Sequence, residues 1–174
     1  LVGAGRREGW PEVAARFRPL SSPRLSRPTT SVGRLFDAVA ALTGVCARST
    51  YEGEAAMRLE ALASPGAAPY PIEVTRDEID WRPTLAALDP SDDPARVASR
   101  FHATLVDALL RTASLHRAPV VALSGGVFQN ARLVEDACAA LRDRGVDVLL
   151  PTRIPPHDGG LSLGQAWLAA RGDG

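Results

Sequence analysis

Long apolar runs are absent from this sequence. No stretch approaches the roughly 20 consecutive apolar residues that a bilayer-spanning helix needs, and the opening residues, LVGAGRREGWPEV, hold no apolar signal core. They also lack an initiator Met, so the chain reads as excised from something longer. An excess of charge is missing too, because 20 basic and 20 acidic side chains cancel. With no global field to draw in polyanions, a general nucleic-acid binder is disfavoured. Cysteine is scarce. Cys46 and Cys138 stand far apart with no CxxC pair, which gives no structural zinc site. They read as small buried apolar residues of a cytoplasmic protein, with a disulfide or a catalytic thiol as the alternative. No internal repeat is present.

What remains is a chain of 174 residues, 45% of them hydrophobic, enough for one domain with its own core. Residues 1–30 are a loop-rich segment, SSPRLSRPTT at 21–30 above all, and the pattern of a folded lobe occupies 31–174. In VGRLFDAVAALTG, Leu35, Val39 and Leu42 recur at helical spacing and Gly44 stands where a helix stops. A second helix is predicted over Glu52 to Ala63, ended by SPG at 64–66. Pro71 to Thr75 alternates and predicts a short strand. A short apolar helix follows Trp81 and Pro83. After the DPSDDP loop at 89–94, a long helix is predicted over about 95–115, with Val97, Phe101 and Leu105 on its apolar face. Ala118 to Leu123 is a continuous apolar run, the pattern of a strand covered on both faces. SGG, a helix from about Asn130 to Arg144, a second buried strand Val146 to Leu150, the loop PTRIPPHDGG and a helix from Ser162 to Ala170 complete the order. That is an α/β unit whose parallel strands are joined by a right-handed crossover.

Three places could carry chemistry. In LSGGVFQN, residues 123–130, a strand ends and a helix begins, so backbone N–H groups face the crevice beyond the strand. The two glycines would let a phosphate approach closely, although a tight turn without ligand explains the same residues. SGG is not the G-x-S-x-G elbow, so Ser124 does not read as a hydrolase nucleophile. In PPHDGGLSLGQA, Asp158 projects from a loop before the last helix, either as a metal ligand or as that helix's cap. His157 beside it reads as a solvated loop residue. Asp37 lies mid-helix among apolar neighbours, as a functional acid or as one half of a surface pair with Arg34. His102, on the long helix, reads as a packing or hydrogen-bonding residue.

Taken in order, GRLFDAVAALTG, TYEGEAA, FHATLVDALL, LSGGVFQN and PPHDGGLSLGQAW resemble the C-terminal part of the HypF family of hydrogenase-maturation carbamoyltransferases. In this region that family is similar to the TsaD family of tRNA threonylcarbamoyl-transfer proteins. The resemblance implies an α/β fold, the second lobe of the actin-like and sugar-kinase-like ATPase superfold. It implies that carbamoyl phosphate and ATP form carbamoyl-adenylate, and that the carbamoyl group passes to the C-terminal cysteine of a HypE partner. Residue by residue, Asp37 matches an acid on the nucleotide ribose, Gly53 a glycine beside the nucleoside, and Asn130 a nucleotide-contacting Asn. Gly125 and Gly126 would line the phosphates, and Asp158 would bind the active-site metal. This chain has YEGE and PPHD where the relatives have YPGG and PPND, and His157 replaces that Asn. The family's metal-binding H-x-x-x-H pair belongs to the first lobe, and His102, His116 and His157 do not form it. The first lobe and the upstream domains are also missing, so the chain alone is expected to be inactive. A freestanding nucleotide-binding or scaffold module and a TsaD-like fragment are the competing readings.

Overall fold

The structure, a computed structural model, describes residues 29–89 and 91–172; the loop expected over the first residues lies outside them up to residue 28. Helix α1 (Val32–Leu42) starts where the Ser31 hydroxyl accepts from the Arg34 N–H at 3.4 Å. It stops at Thr43, whose hydroxyl donates to the Val39 carbonyl at 2.8 Å. Its apolar stripe, Leu35, Phe36, Val39 and Ala40, is buried. Helix α2 (Glu54–Leu62) begins at Gly53, which stands at φ +79°, where a side chain is strained. Both pack beside the long α4 (Pro94–His116), which Asp93 caps and Pro94 opens. The Phe36 and Phe101 rings meet edge-on at 4.9 Å, and Leu59, Val97, Leu133 and Leu141 close the core around them.

Between α2 and α4 the chain forms a hairpin that the sequence gives only in half. β1 (Glu73–Val74) pairs antiparallel with β2 (Ile79–Asp80), and α3 (Arg82–Ala87) follows. The approach to the hairpin is stitched onto α4. Ser99 accepts from the Ser64 N–H and Thr104 from the Tyr70 N–H, each at 2.8 Å, while the Arg100 guanidinium lies 3.9 Å over the Tyr70 ring.

The expected parallel pair is present. β3 (Val120–Ala122) lies beside β4 (Asp147–Leu149), and the connection carries α5 (Ala131–Arg142), which packs along α4. Coverage departs from expectation. Val121 and Val148 pack against the core, whereas Val120 and Leu149 are 43% and 58% exposed. An apolar run predicts two covered faces because parallel strands are normally sandwiched by helices. Here the described residues cover one face and leave the other open. The last helix, α6 (Leu161–Arg171), is exposed along its whole length. No helix among the described residues is long and apolar enough to cross a membrane.

Candidate functional site

The α1 start, the α2 start, the turn after β3 and the loop before α6 converge on a cleft of about 930 Å³. That lies within the roughly 300–1,000 Å³ typical of small-molecule sites. Asp37, Gly53, Gly126, Asn130 and Asp158 all line it, together with Arg34, Glu52, Glu60 and His157. Five of the six residues singled out for nucleotide or metal thus share one wall. The sixth, Gly125, forms the bend behind Gly126 at φ +102°.

The glycine turn is built differently from the expected strand-to-helix junction. A single turn of 3₁₀ helix, Gly126–Gln129, intervenes before α5. The N-terminus of α5 is then occupied by protein. Asn130 Oδ1 accepts from the Leu133 N–H at 2.8 Å, and Glu60 Oε1, from α2, accepts from the Ala131 and Arg132 N–H groups at 2.6 and 3.3 Å. A carboxylate suits the positive end of a helix dipole. In this fold that anion is the chain's own, so the first N–H groups of α5 are not bare donors facing the crevice. Sequence reasoning missed Glu60, which lies 71 residues before the group it caps and stands in an ordinary helical pattern.

Asn130 has a second partner. Its Nδ2 lies 2.9 Å from Nε2 of His102, whose Nδ1 lies 2.8 Å from the Ala98 carbonyl. His102 is 2% exposed, and burial holds its imidazole below the ordinary value of 6.5. The hydrogen-bonding role expected for it is realised.

Asp37 pairs with Arg34, with Nη1 to Oδ2 at 3.3 Å, so the surface pair and the place on the cleft wall coexist. Asp158 does not cap the last helix. It opens a 3₁₀ turn, Asp158–Gly160, and α6 starts without a side-chain cap. The side chain that caps this 3₁₀ turn is His157, whose Nδ1 accepts from the Gly159 N–H at 3.1 Å while the residue stays exposed, as its loop position implied. The paired glycines have a steric reason. A Cβ on Gly159 would lie 2.8 Å from the His157 ring, and one on Gly160 would lie 2.9 Å from Ile154. That packing leaves the Asp158 carboxylate exposed on the cleft wall. Asp158 offers one ligand where divalent ions take several, and no group of three metal-ligating side chains exists among the described residues. Cys46 and Cys138 are buried and free.

The family model for a carbamoyltransferase Kae1-like domain, second subdomain, matches residues 11–165. The chain belongs to the HypF carbamoyltransferase family. The carbamoyltransferase HypF of Rhodobacter capsulatus is 43% identical over 159 residues, which cover 88% of this chain and 21% of that protein. HypF of Synechocystis is 37% identical over 79% of this chain and 19% of its own length. Among solved structures, full-length HypF in its phosphate- and nucleotide-bound form superposes with a TM-score of 0.70 at 36% identity, over 81% of this chain and 24% of that one. HypF of T. kodakarensis gives 0.65 at 30% identity, over 80% and 19%. The chain therefore spans no more than 24% of these HypF proteins, and its mixed α/β fold with a small parallel sheet is that of their Kae1-like part.

Proposed function

We propose that this chain supplies one nucleotide-facing wall of a HypF-type carbamoyltransferase, as the second lobe of an actin-like ATPase fold. In that reading the whole enzyme, a cytoplasmic protein, joins carbamoyl phosphate and ATP into carbamoyl-adenylate. It then transfers the carbamoyl group to the C-terminal cysteine of a HypE-type acceptor. The observation that carries the reading is the cleft, which draws Asp37, Gly53, Gly126, Asn130 and Asp158 from four separate segments onto one surface. A solved relative with TM-score 0.70 holds phosphate and nucleotide, which supports the same ligand class here. Asp37 would meet the ribose, Gly53 would leave room for the nucleoside, Asn130 would contact the nucleotide, and Gly125 with Gly126 would border the phosphates. Asp158 would contribute one ligand to a divalent metal. The metal's remaining ligands are not among the described residues, so the cleft's own chemistry is binding and orientation. Carbamoyl transfer is favoured over tRNA modification by the matched relatives and by the balanced charge.

In the full-length protein, Asp37→Ala and Asn130→Ala should each weaken binding of a non-hydrolysable ATP analogue by about 1–3 kcal/mol, the scale of a lost hydrogen bond in a polar site. Calorimetry reads this directly. Unchanged affinity in both variants removes the nucleotide from this cleft.

A further inference from the structure

We infer that His102 is a positioning residue of the cleft: it fixes the orientation of the Asn130 amide, so that the amide oxygen caps α5 and one amide N–H is left for a ligand. The inference rests on the nucleotide reading of the cleft and goes beyond it, since His102 itself does not line the cleft.

Two backbone groups at the ends of this hydrogen-bonded chain have no choice of role. The Ala98 carbonyl only accepts, and the Leu133 N–H only donates. Between them stand two side chains that could each be drawn two ways round, an imidazole with two tautomers and an amide that could be flipped. The fixed ends settle both. Because the Leu133 N–H donates at 2.8 Å, the Asn130 atom facing it is Oδ1, and Nδ2 is turned to His102. Because Nδ2 donates at 2.9 Å, His102 Nε2 accepts and the ring proton sits on Nδ1, where the Ala98 carbonyl receives it at 2.8 Å. A flipped amide would set Nδ2–H against the Leu133 N–H and Oδ1 against a bare ring nitrogen, two repulsive contacts replacing two hydrogen bonds.

The ring has no room to swing away. Its centroid lies 5.5 Å from Phe36 and 6.2 Å from Phe101, both rings near perpendicular to it. The charged groups that act on it are Glu60 on α2 and Asp136 and Arg132 on α5. The two acids favour an imidazolium, Arg132 opposes it, and burial, the largest influence, also opposes it. The neutral ring is the form that the chain of hydrogen bonds requires. Asn130 spends one N–H and one oxygen lone pair on this chain. Its second N–H and second lone pair remain, on a residue that is 6% exposed and borders the cleft.

The test is a double-mutant cycle on the full-length protein, with calorimetric binding of a non-hydrolysable ATP analogue. His102→Phe keeps a ring between Phe36 and Phe101 but removes the acceptor. Asn130→Ala should lower affinity about tenfold and His102→Phe about three- to tenfold, on the scale of one hydrogen bond. In the double variant the loss should equal that of Asn130→Ala alone, because His102 acts only through Asn130. His102→Gln, whose amide oxygen can take the Nε2 place, should bind close to wild type and answers the question if the Phe variant loses its cooperative melt. Wild-type affinity in His102→Phe, or losses that multiply in the double variant, overturns the positioning role while the nucleotide reading stands. Wild-type affinity in Asn130→Ala overturns the positioning role, and no binding by the wild-type protein overturns the nucleotide reading with it.

Discussion

Glu54 is 3% exposed, yet its neighbours hold it as an anion. The Thr50 N–H donates to Oε2 at 2.5 Å, the Thr50 hydroxyl does so at 2.9 Å, and Arg58 approaches Oε1 at 2.6 Å. The Thr50 N–H is the main reason its carboxyl titrates below the usual 4.5, with burial pulling the other way. A folded-state pKa below the unfolded one means that the unfolded chain takes up the proton first on acidification. The stability from this carboxylate is therefore complete above about pH 4.5 and is lost as pH falls through the folded value. Glu54→Gln should melt lower than wild type at pH 7, and the gap should close below pH 4.5; a gap that stays constant down to pH 3 would refute the account. Asp158 behaves oppositely as a stability residue. Its carboxylate caps nothing, so Asp158→Asn should leave the thermal melt unchanged while metal content and transfer activity of the full-length protein fall. Full metal content and normal transfer activity in Asp158→Asn would sink the ligand assignment, since Asn caps a helix about as well as Asp and would serve equally in a purely structural role.

At the scale of elements, the helices were legible because a 3.6-residue apolar stripe and its caps are local signals. The sequence reading of 95–115 differs from Pro94–His116 by one residue at each end. The β1–β2 hairpin was half hidden, since two-residue strands such as Ile79–Asp80 are too short to show alternation. The apolar runs at β3 and β4 announced strands correctly but not how many faces would be covered, because composition does not report neighbours. The pin between α2 and α5 was not legible at all. Glu60 touches Ala131 and Arg132 across the fold, and nothing near it in sequence marks that contact. Glu60→Ala should cost about 0.5–2 kcal/mol, the scale of a lost helix N-cap, by leaving two first-turn N–H groups of α5 to solvent. Glu60→Gln should cost less, because an amide oxygen still accepts and only the charge at the dipole is lost. Urea unfolding of both variants measures the difference, and wild-type stability in Glu60→Ala would deny the pin any weight.

For the molecule as a whole, the open side of the sheet leaves Val120 and Leu149 exposed, and the last helix leaves Leu161, Leu163 and Trp167 exposed. The family to which the chain belongs treats this region as a second subdomain. Purified alone, residues 1–174 should bind an apolar dye and self-associate at micromolar concentration. They should transfer no carbamoyl group when given ATP, carbamoyl phosphate, divalent metal and an acceptor peptide. Robust transfer by this chain would show that its fold is sufficient, against the proposal that it forms only one wall. The cleft also has a consequence for ionic strength. Among the described residues its wall carries the carboxylates of Asp37, Glu52, Glu60 and Asp158 and one guanidinium, that of Arg34. In the proposed nucleotide reading, this side repels a bare polyphosphate, and the countercharge that admits it has to come from other residues. Added salt shortens the reach of that repulsion to about 10 Å at 0.1 M and about 3 Å at 1 M. Removing one exposed acid, as in Glu52→Gln, should therefore tighten nucleotide binding by the full-length protein in dilute buffer, and the advantage should fade as salt rises.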